Sequence, residues 1–269
     1  MVKPKTEPSR GLLNKSEGEN HFQLSRFEPT TSLAGFVEHY WIVRWDLSGK
    51  NPYEQEVLAH PSVHLVFEKS KTRIWGVVTG KFTRVIKDKG CVLGIKFKPG
   101  GFYPFYKNDI SSFSDSMLPF HLAFNDDLTK LEGKILQPTD EKEMIELAEQ
   151  FLLRNLPEPD PNVDKVNEIM EFVKKDSEIL KVDDLVERFK YSKRTLQRLF
   201  KHYVGVSPKW VIMRYRLHDV AERIAAKPVT NWAALALEAG YFDQAHFIRD
   251  FKSIVGKTPA EYAEGLKWE

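Results

Sequence analysis

A single cysteine, Cys91, stands in a chain of 269 residues, so no internal disulfide can form. One thiolate is also too few for a Cys-based zinc site or an iron–sulfur cluster, and the usage fits a reducing compartment. The chain lacks an apolar run of about 18 residues, the minimum for a membrane-spanning helix. Its first twenty residues, MVKPKTEPSRGLLNKSEGEN, lack the apolar stretch of a secretory signal. Gly-rich phosphate loops, GxSxG elbows and HExxH pairs are missing too, which removes phosphate-cofactor, esterase and zincin readings. These absences predict a cytoplasmic, non-enzymatic protein with no cofactor, no bound metal and no membrane partner.

Charge of one sign is also scarce overall, with 40 Lys plus Arg against 38 Asp plus Glu. Its distribution says more. Residues 163–269 hold 19 basic and 16 acidic residues, and there Arg188, Lys190, Lys193, Arg194, Arg198, Lys201, Lys209, Arg214 and Arg216 follow one another with no acid between them. Such a run attracts a polyanion, unless it is only a solvated helix face.

The length suits about two domains, each able to bury a core. Residues 1–20 read as a flexible tail. Between Val37 and Lys98 β-branched and aromatic runs recur at 63–68, 72–78, 82–86 and 92–98, separated by Gly, Asp and Lys turns. That spacing predicts a β-rich, barrel-like domain over 21–155. Its closing helix, from about Asp140 to Asn155, is capped by Thr139 or Asp140 and carries an apolar stripe for the core or for a second copy. LPEPDP (156–161) carries three prolines and reads as a stiff linker, leaving 162–269 as an all-α domain in an α+β two-domain chain.

The β-rich part concentrates aromatics. Trp41, Trp45, Trp75, Phe97, Phe102 and Tyr103 are the candidate lining of an effector pocket, with a packed core as the plain alternative. His60 and His64 in AHPSVH share a strand face in principle, but Pro61 interrupts the strand and no third ligand has fitting spacing. Cys91 opens an apolar strand without an adjacent base and reads as a structural thiol.

The helical part repeats itself. Arg198-x-Phe200-Lys201-x-x-x-Gly205-x-Ser207-Pro208 returns 51 residues later as Arg249-x-Phe251-Lys252-x-x-x-Gly256-x-Thr258-Pro259. In each copy the Phe anchors the core, the Gly supplies a left-handed helix end, and Ser/Thr-Pro starts the next helix. The same offset pairs Ser192 with Asp243, both good N-caps, and a short apolar helix precedes each, VDDLVERF (182–189) and WAALALEAG (232–240). Helix, turn, capped helix is the outline of a helix-turn-helix, here present twice and joined by one long amphipathic helix from Pro208 to about Ala226.

The second helix of such a motif presents its N-terminal outward residues to the major groove. Arg194, Gln197 and Arg198 face outward in the first unit, and Gln244, His246 and Arg249 in the second, as base readers of double-stranded DNA. Lys193, Lys201, Lys209 and Lys252 are the candidate phosphate contacts. The second set is less basic, and with Ala245 it predicts a less discriminating reader.

Through SKRTLQRLFKHYVGVSPKWVIMRYRLHDVAERI and ALEAGYFDQAHFIRDFKSIVGKTPAEY, residues 164 to 263 resemble the DNA-binding domain of the AraC/XylS family of bacterial transcription regulators. The resemblance implies a seven-helix module whose single monomer places two recognition helices in successive major grooves, with the six base readers named above. It also implies an N-terminal domain that binds a small organic effector or dimerises, and RNA polymerase as a further partner of a monomer or homodimer. Two other readings stay open: a barrel-type enzyme fused to a DNA-binding module, and a constitutive DNA-binding protein whose N-terminal part is only an assembly surface.

Overall fold

The computed structural model describes residues 3–6, 11–13, 15–176 and 179–266. Among the described residues nine strands come first: β1 (Lys3–Pro4), β2 (Gln23–Glu28), β3 (Val37–Leu47), β4 (Tyr53–Val57), β5 (His64–Glu68), β6 (Arg73–Trp75), β7 (Phe82–Ile86), β8 (Asp88–Phe97) and β9 (Met117–Leu118). Seven of them form one sheet in the order β1-β2-β3-β8-β5-β6-β9, every pairing antiparallel; β4 pairs with β7 in a separate ribbon, and its Val57 also bridges Leu12.

This corrects the barrel expected from the strand spacing. The seven-stranded sheet ends in two edges, β1 and β9, and the β4–β7 ribbon does not bridge them. Closure is not needed to bury the sheet's apolar face, because helices cover it. Tyr40, Ile42, Leu65, Phe67, Leu93 and Ile95 face α3 (Leu128–Leu136) and α4 (Glu141–Arg154), and all join one core with Ile135, Ile145, Phe151 and Leu152. Asp140 caps α4, accepting from Lys142 N at 3.2 Å. The helix thus spends its stripe on its own domain. Short helices α1 (Lys15–Gly18) and α2 (Tyr103–Tyr106) complete this part.

Of the first twenty residues, 1–2, 7–10 and 14 lie outside the described residues, as the tail reading does there. In the rest, Lys3–Pro4 pairs with Phe27 and Glu28, and Leu13 is buried.

Among the described residues seven helices follow: α5 (Pro161–Lys175), α6 (Val182–Phe189), α7 (Lys193–Leu199), α8 (Pro208–Ala226), α9 (Trp232–Glu238), α10 (Gln244–Val255) and α11 (Pro259–Glu264). Pro161 opens α5 at its first position behind the cap Asp160, where a missing N–H costs nothing. The apolar faces gather into two clusters. One holds α5, α6, α7 and the start of α8 around Leu185, Leu196, Phe200 and Val211. The other holds the rest of α8 with α9, α10 and α11 around Leu217, Phe247, Phe251 and Tyr262. The β-rich part lends Val77 to the first cluster and Leu13 and Leu58 to the second. No helix among the described residues is long and apolar enough to cross a membrane.

Candidate nucleic-acid interface and the sheet face behind it

The first helix-turn-helix is α6, a turn, and α7. Lys190 closes α6 in the left-handed region (φ 58°) and turns the chain toward Ser192. The Ser192 hydroxyl accepts from Thr195 N at 3.1 Å, satisfying one of the open donors at the start of α7. Leu196 and Leu199 point into the first cluster, which leaves Lys193, Arg194, Gln197 and Arg198 exposed along one face. A π-turn, Phe200–Val204, ends at Gly205 (φ 95°), whose N–H donates to Phe200 O at 2.8 Å. Only a residue without a Cβ takes that conformation at little cost.

The second unit repeats the construction with α9 and α10. Asp243 accepts from His246 N at 2.7 Å, Phe247 and Phe251 are buried, and Gly256 (φ 83°) ends the helix. Gln244, Ala245, His246 and Arg249 are exposed. Lys201, Lys209 and Lys252 are exposed as well, while Lys193 is ion-paired with Asp183 at 2.7 Å and His246 lies 3.3 Å from Asp250. All ten residues singled out as DNA contacts therefore reach solvent: eight lie on α7 and α10, which are built alike, Lys201 lies in the π-turn after α7, and Lys209 lies at the start of α8.

The nine-residue basic run is less uniform than its sequence suggests. Arg188 stacks over Phe172 at 5.2 Å, Arg214 is wholly buried, and Arg216 lies over the Tyr241 ring at 4.8 Å. Arg214 is one joint to the β-rich part: Nε donates to Ala59 O (2.8 Å), Nη2 to Gly80 O (3.1 Å), and Trp210 lies against its charge at 5.3 Å. Burial pulls its pKa down to about 9 against the opposing pull of Asp115. Beside it the rings of His60 and His218 stack at 4.4 Å, and burial drives the His60 pKa well below the ordinary histidine value. Ser114 donates to Gly205 O at 2.8 Å, and His202 bonds Asp109 and, at 2.8 Å, the Tyr103 hydroxyl.

The six aromatics proposed as a pocket are not brought together. Phe97 and Phe102 sit in the core under α3 and α4, and Tyr103 packs on His202 and Tyr203. Trp41, Trp45 and Trp75 share the opposite sheet face. The Trp41 indole covers Gly94 and the Trp45 indole covers Gly90, their cross-strand partners, where a Cβ would overlap the rings. Trp41 Nε1 donates to His64 Nδ1 at 3.3 Å, and Trp75 meets Phe82 edge-on.

That face also carries a charged centre the composition did not announce. Lys96 stands opposite His39 on one side and His64 on the other, and its ammonium is 3.1 Å from Glu38. Burial would raise the Glu38 pKa, but the charge and hydrogen bond of Lys96, together with the neighbouring His39 and Lys174, outweigh it and hold the carboxyl at about 2. Burial first, then Lys96, lowers His39 to about 2 and His64 to about 3, so both are neutral. The available signal was alternation: in VLGIKF, Lys96 falls on the face of Gly94, opposite Leu93 and Ile95. Cys91 is half-buried against the core, and burial raises its thiol pKa. A surface hollow of about 480 Å³ opens elsewhere, between Arg73, Met117, Phe120 and His121, and none of the six aromatics lines it.

Comparison with known proteins divides the chain in the same way. A family described as a domain of unknown function matches residues 25–119, and a helix-turn-helix domain family matches 185–265. The probable transcription factor PqrA of Proteus vulgaris is 31% identical over 102 residues, which are 37% of this chain and 83% of that protein. The right origin-binding protein of Escherichia coli K12 is 34% identical over 91 residues, 33% of this chain and 30% of that protein, so the chain spans about a third of its length. Among solved structures, ToxT of Vibrio cholerae O395 aligns over 93% of this chain and 100% of its own at 13% identity, with a TM-score of 0.38. With two helix-turn-helix units, each carrying an exposed recognition helix, and a relative matched over most of its length, the chain belongs to the AraC/XylS family and is a sequence-specific DNA-binding transcription regulator.

Proposed function

We propose that this regulator reads a bipartite DNA site, one block through α7 and one through α10. Arg194, Gln197 and Arg198 address base edges in the first block, and Gln244, His246 and Arg249 in the second. Lys201, Lys209 and Lys252 hold phosphates, and Lys193 does so on release from Asp183. The observation that carries the reading is the matched exposure of both recognition faces, each on a helix capped by its own side chain and closed by a left-handed glycine. The reading takes 21–155 and 162–269 as the working domains, joined at 156–161.

The domain ahead of the reader carries the regulation in this reading. A small organic effector binds on the sheet face of Trp41, Trp45 and Trp75, near His64 and Lys96, and shifts regulation by its unequal affinity for two domain arrangements. The protein works in the cytoplasm with RNA polymerase as its downstream partner, as a monomer or homodimer.

Selection of bound duplexes from a random library with the full chain tests the core of the proposal. Enrichment of one site with two blocks about one helical turn apart supports it. Enrichment of a single block would leave only one of the two units as a reader, and no enrichment would reduce both to a non-specific anchor.

A further inference from the structure

The two helix-turn-helix units have separate apolar clusters, so the register of one recognition helix against the other depends on what links them. They share α8, and from α8 one side chain reaches both. Arg216 Nη1 donates to the Leu180 carbonyl at 3.4 Å, just ahead of α6, and Nη2 donates to the Ala239 carbonyl at the end of α9. The same guanidinium lies over the Tyr241 ring, 4.8 Å from its centroid, in the turn that leads into α10.

Both ends of this joint are tied to their recognition helices. On one side the Asp184 carboxylate of α6 accepts from Leu180 N and Lys181 N, each at 2.9 Å, which fixes the Leu180 peptide to the first unit. On the other side Tyr241 packs against His246 at 5.2 Å and Phe247 at 5.5 Å, both on α10. Arg214, two positions earlier and so about 200° around the helix, turns the other way and holds the β-rich part. The planar fork of an arginine suits Arg216 to gripping two carbonyls at once, which a lysine ammonium on its flexible stem does less rigidly.

We infer that Arg216 is a positioning residue that sets the spacing between the two DNA blocks the protein accepts, without touching DNA. Inserting one base pair between blocks moves the second by about 3.4 Å and rotates it by roughly a tenth of a turn. A rigid joint rejects that displacement and a loosened one absorbs it. The inference rests on the two-reader proposal, and its test separates the two.

The experiment uses the full chain and duplexes carrying both blocks at the selected spacing and at spacings one and two base pairs shorter and longer. Duplexes with either block scrambled serve as half-sites. Wild type, Arg216→Met, Arg216→Lys and Tyr241→Leu are compared, with thermal unfolding of each. For Arg216→Met the preference for the selected spacing falls by about tenfold, the scale of one charge-assisted hydrogen bond, while affinity for each half-site is unchanged. Arg216→Lys and Tyr241→Leu relax the spacing preference less.

Unaltered spacing preference in Arg216→Met, or an equal loss on half-sites and on every spacing, overturns the assignment. If Arg216→Met unfolds, the milder pair decides, and wild-type spacing preference in both overturns it as well. A wild type that shows no preference for paired blocks overturns the two-reader proposal itself, and this inference with it.

Discussion

The two helix-turn-helix units share a frame and differ in what they show to solvent. Each has a capped recognition helix, buried phenylalanine or leucine anchors and a left-handed glycine at its end. On the first, the exposed N-terminal positions are Lys193, Arg194, Gln197 and Arg198; on the second they are Gln244, Ala245, His246 and Arg249. The frame is demanded by backbone donors and apolar burial, which every such unit must satisfy in the same way. The exposed face is free of that demand, so it is where two copies can diverge in what they read.

If the frames are equivalent, removing an anchor should cost the same in either unit. Phe200→Ala and Phe251→Ala, the matched anchors of the repeat, should each destabilise by about 3–5 kcal/mol, since both rings are wholly buried. Denaturant unfolding measures this, and a cost below about 1 kcal/mol in one unit would show that its apolar cluster does not hold it.

If the faces are unequal, base readers should not be interchangeable. Arg198→Ala should lose about 1–3 kcal/mol at the selected site and relax base preference in the first block, with Arg249→Ala losing less. Equal losses and equal relaxation would erase the asymmetry.

Acid should act on the fold through the histidines of the sheet face and of the junction with α8. Burial depresses the folded-state pKa of His39, His60 and His64, so the unfolded chain binds more protons than the native one below about pH 6.5. Stability is then full above pH 6.5 and falls on acidification, by up to about 1.4 kcal/mol per pH unit for each such proton. Unfolding midpoints from pH 7 to 5 test it, and His60→Phe should reduce the slope. A flat profile would mean these rings are protonated in place.

The smallest effect belongs to the phosphate contacts. Lys201→Ala should weaken binding evenly across sequences and flatten the salt dependence of affinity by about one unit of slope. A sequence-selective loss would instead place Lys201 among the base readers.

How far the residues foretold this arrangement differs between the two halves of the chain. VDDLVERF is α6 residue for residue, the long helix runs from Pro208 to Ala226, and Ser192 and Asp243 cap where their spacing said they would. The apolar positions expected on the long helix, from Val211 to Ile224, are buried. The strands at 63–68, 72–78, 82–86 and 92–98 are present within a few residues, but their partners were not legible. Tyr40 pairs with Ile95 and Lys3 with Glu28, matches made across long stretches of chain, and composition cannot tell an open sheet from a closed one.

What the sequence by itself determined is what neighbours within a turn or two of chain decide: helix starts and ends, the duplicated unit, and which positions of its second helices face outward. Caps and left-handed glycines act over three or four residues, so they can be read in order. Only the tertiary structure decided that Arg214 is buried beneath Ala59 and Gly80, that Arg216 spans two units, and that Lys96 with Glu38 forms a charged centre on a sheet face. A charged side chain is buried only where distant groups supply its hydrogen bonds and countercharge, and those groups meet only when the chain has folded.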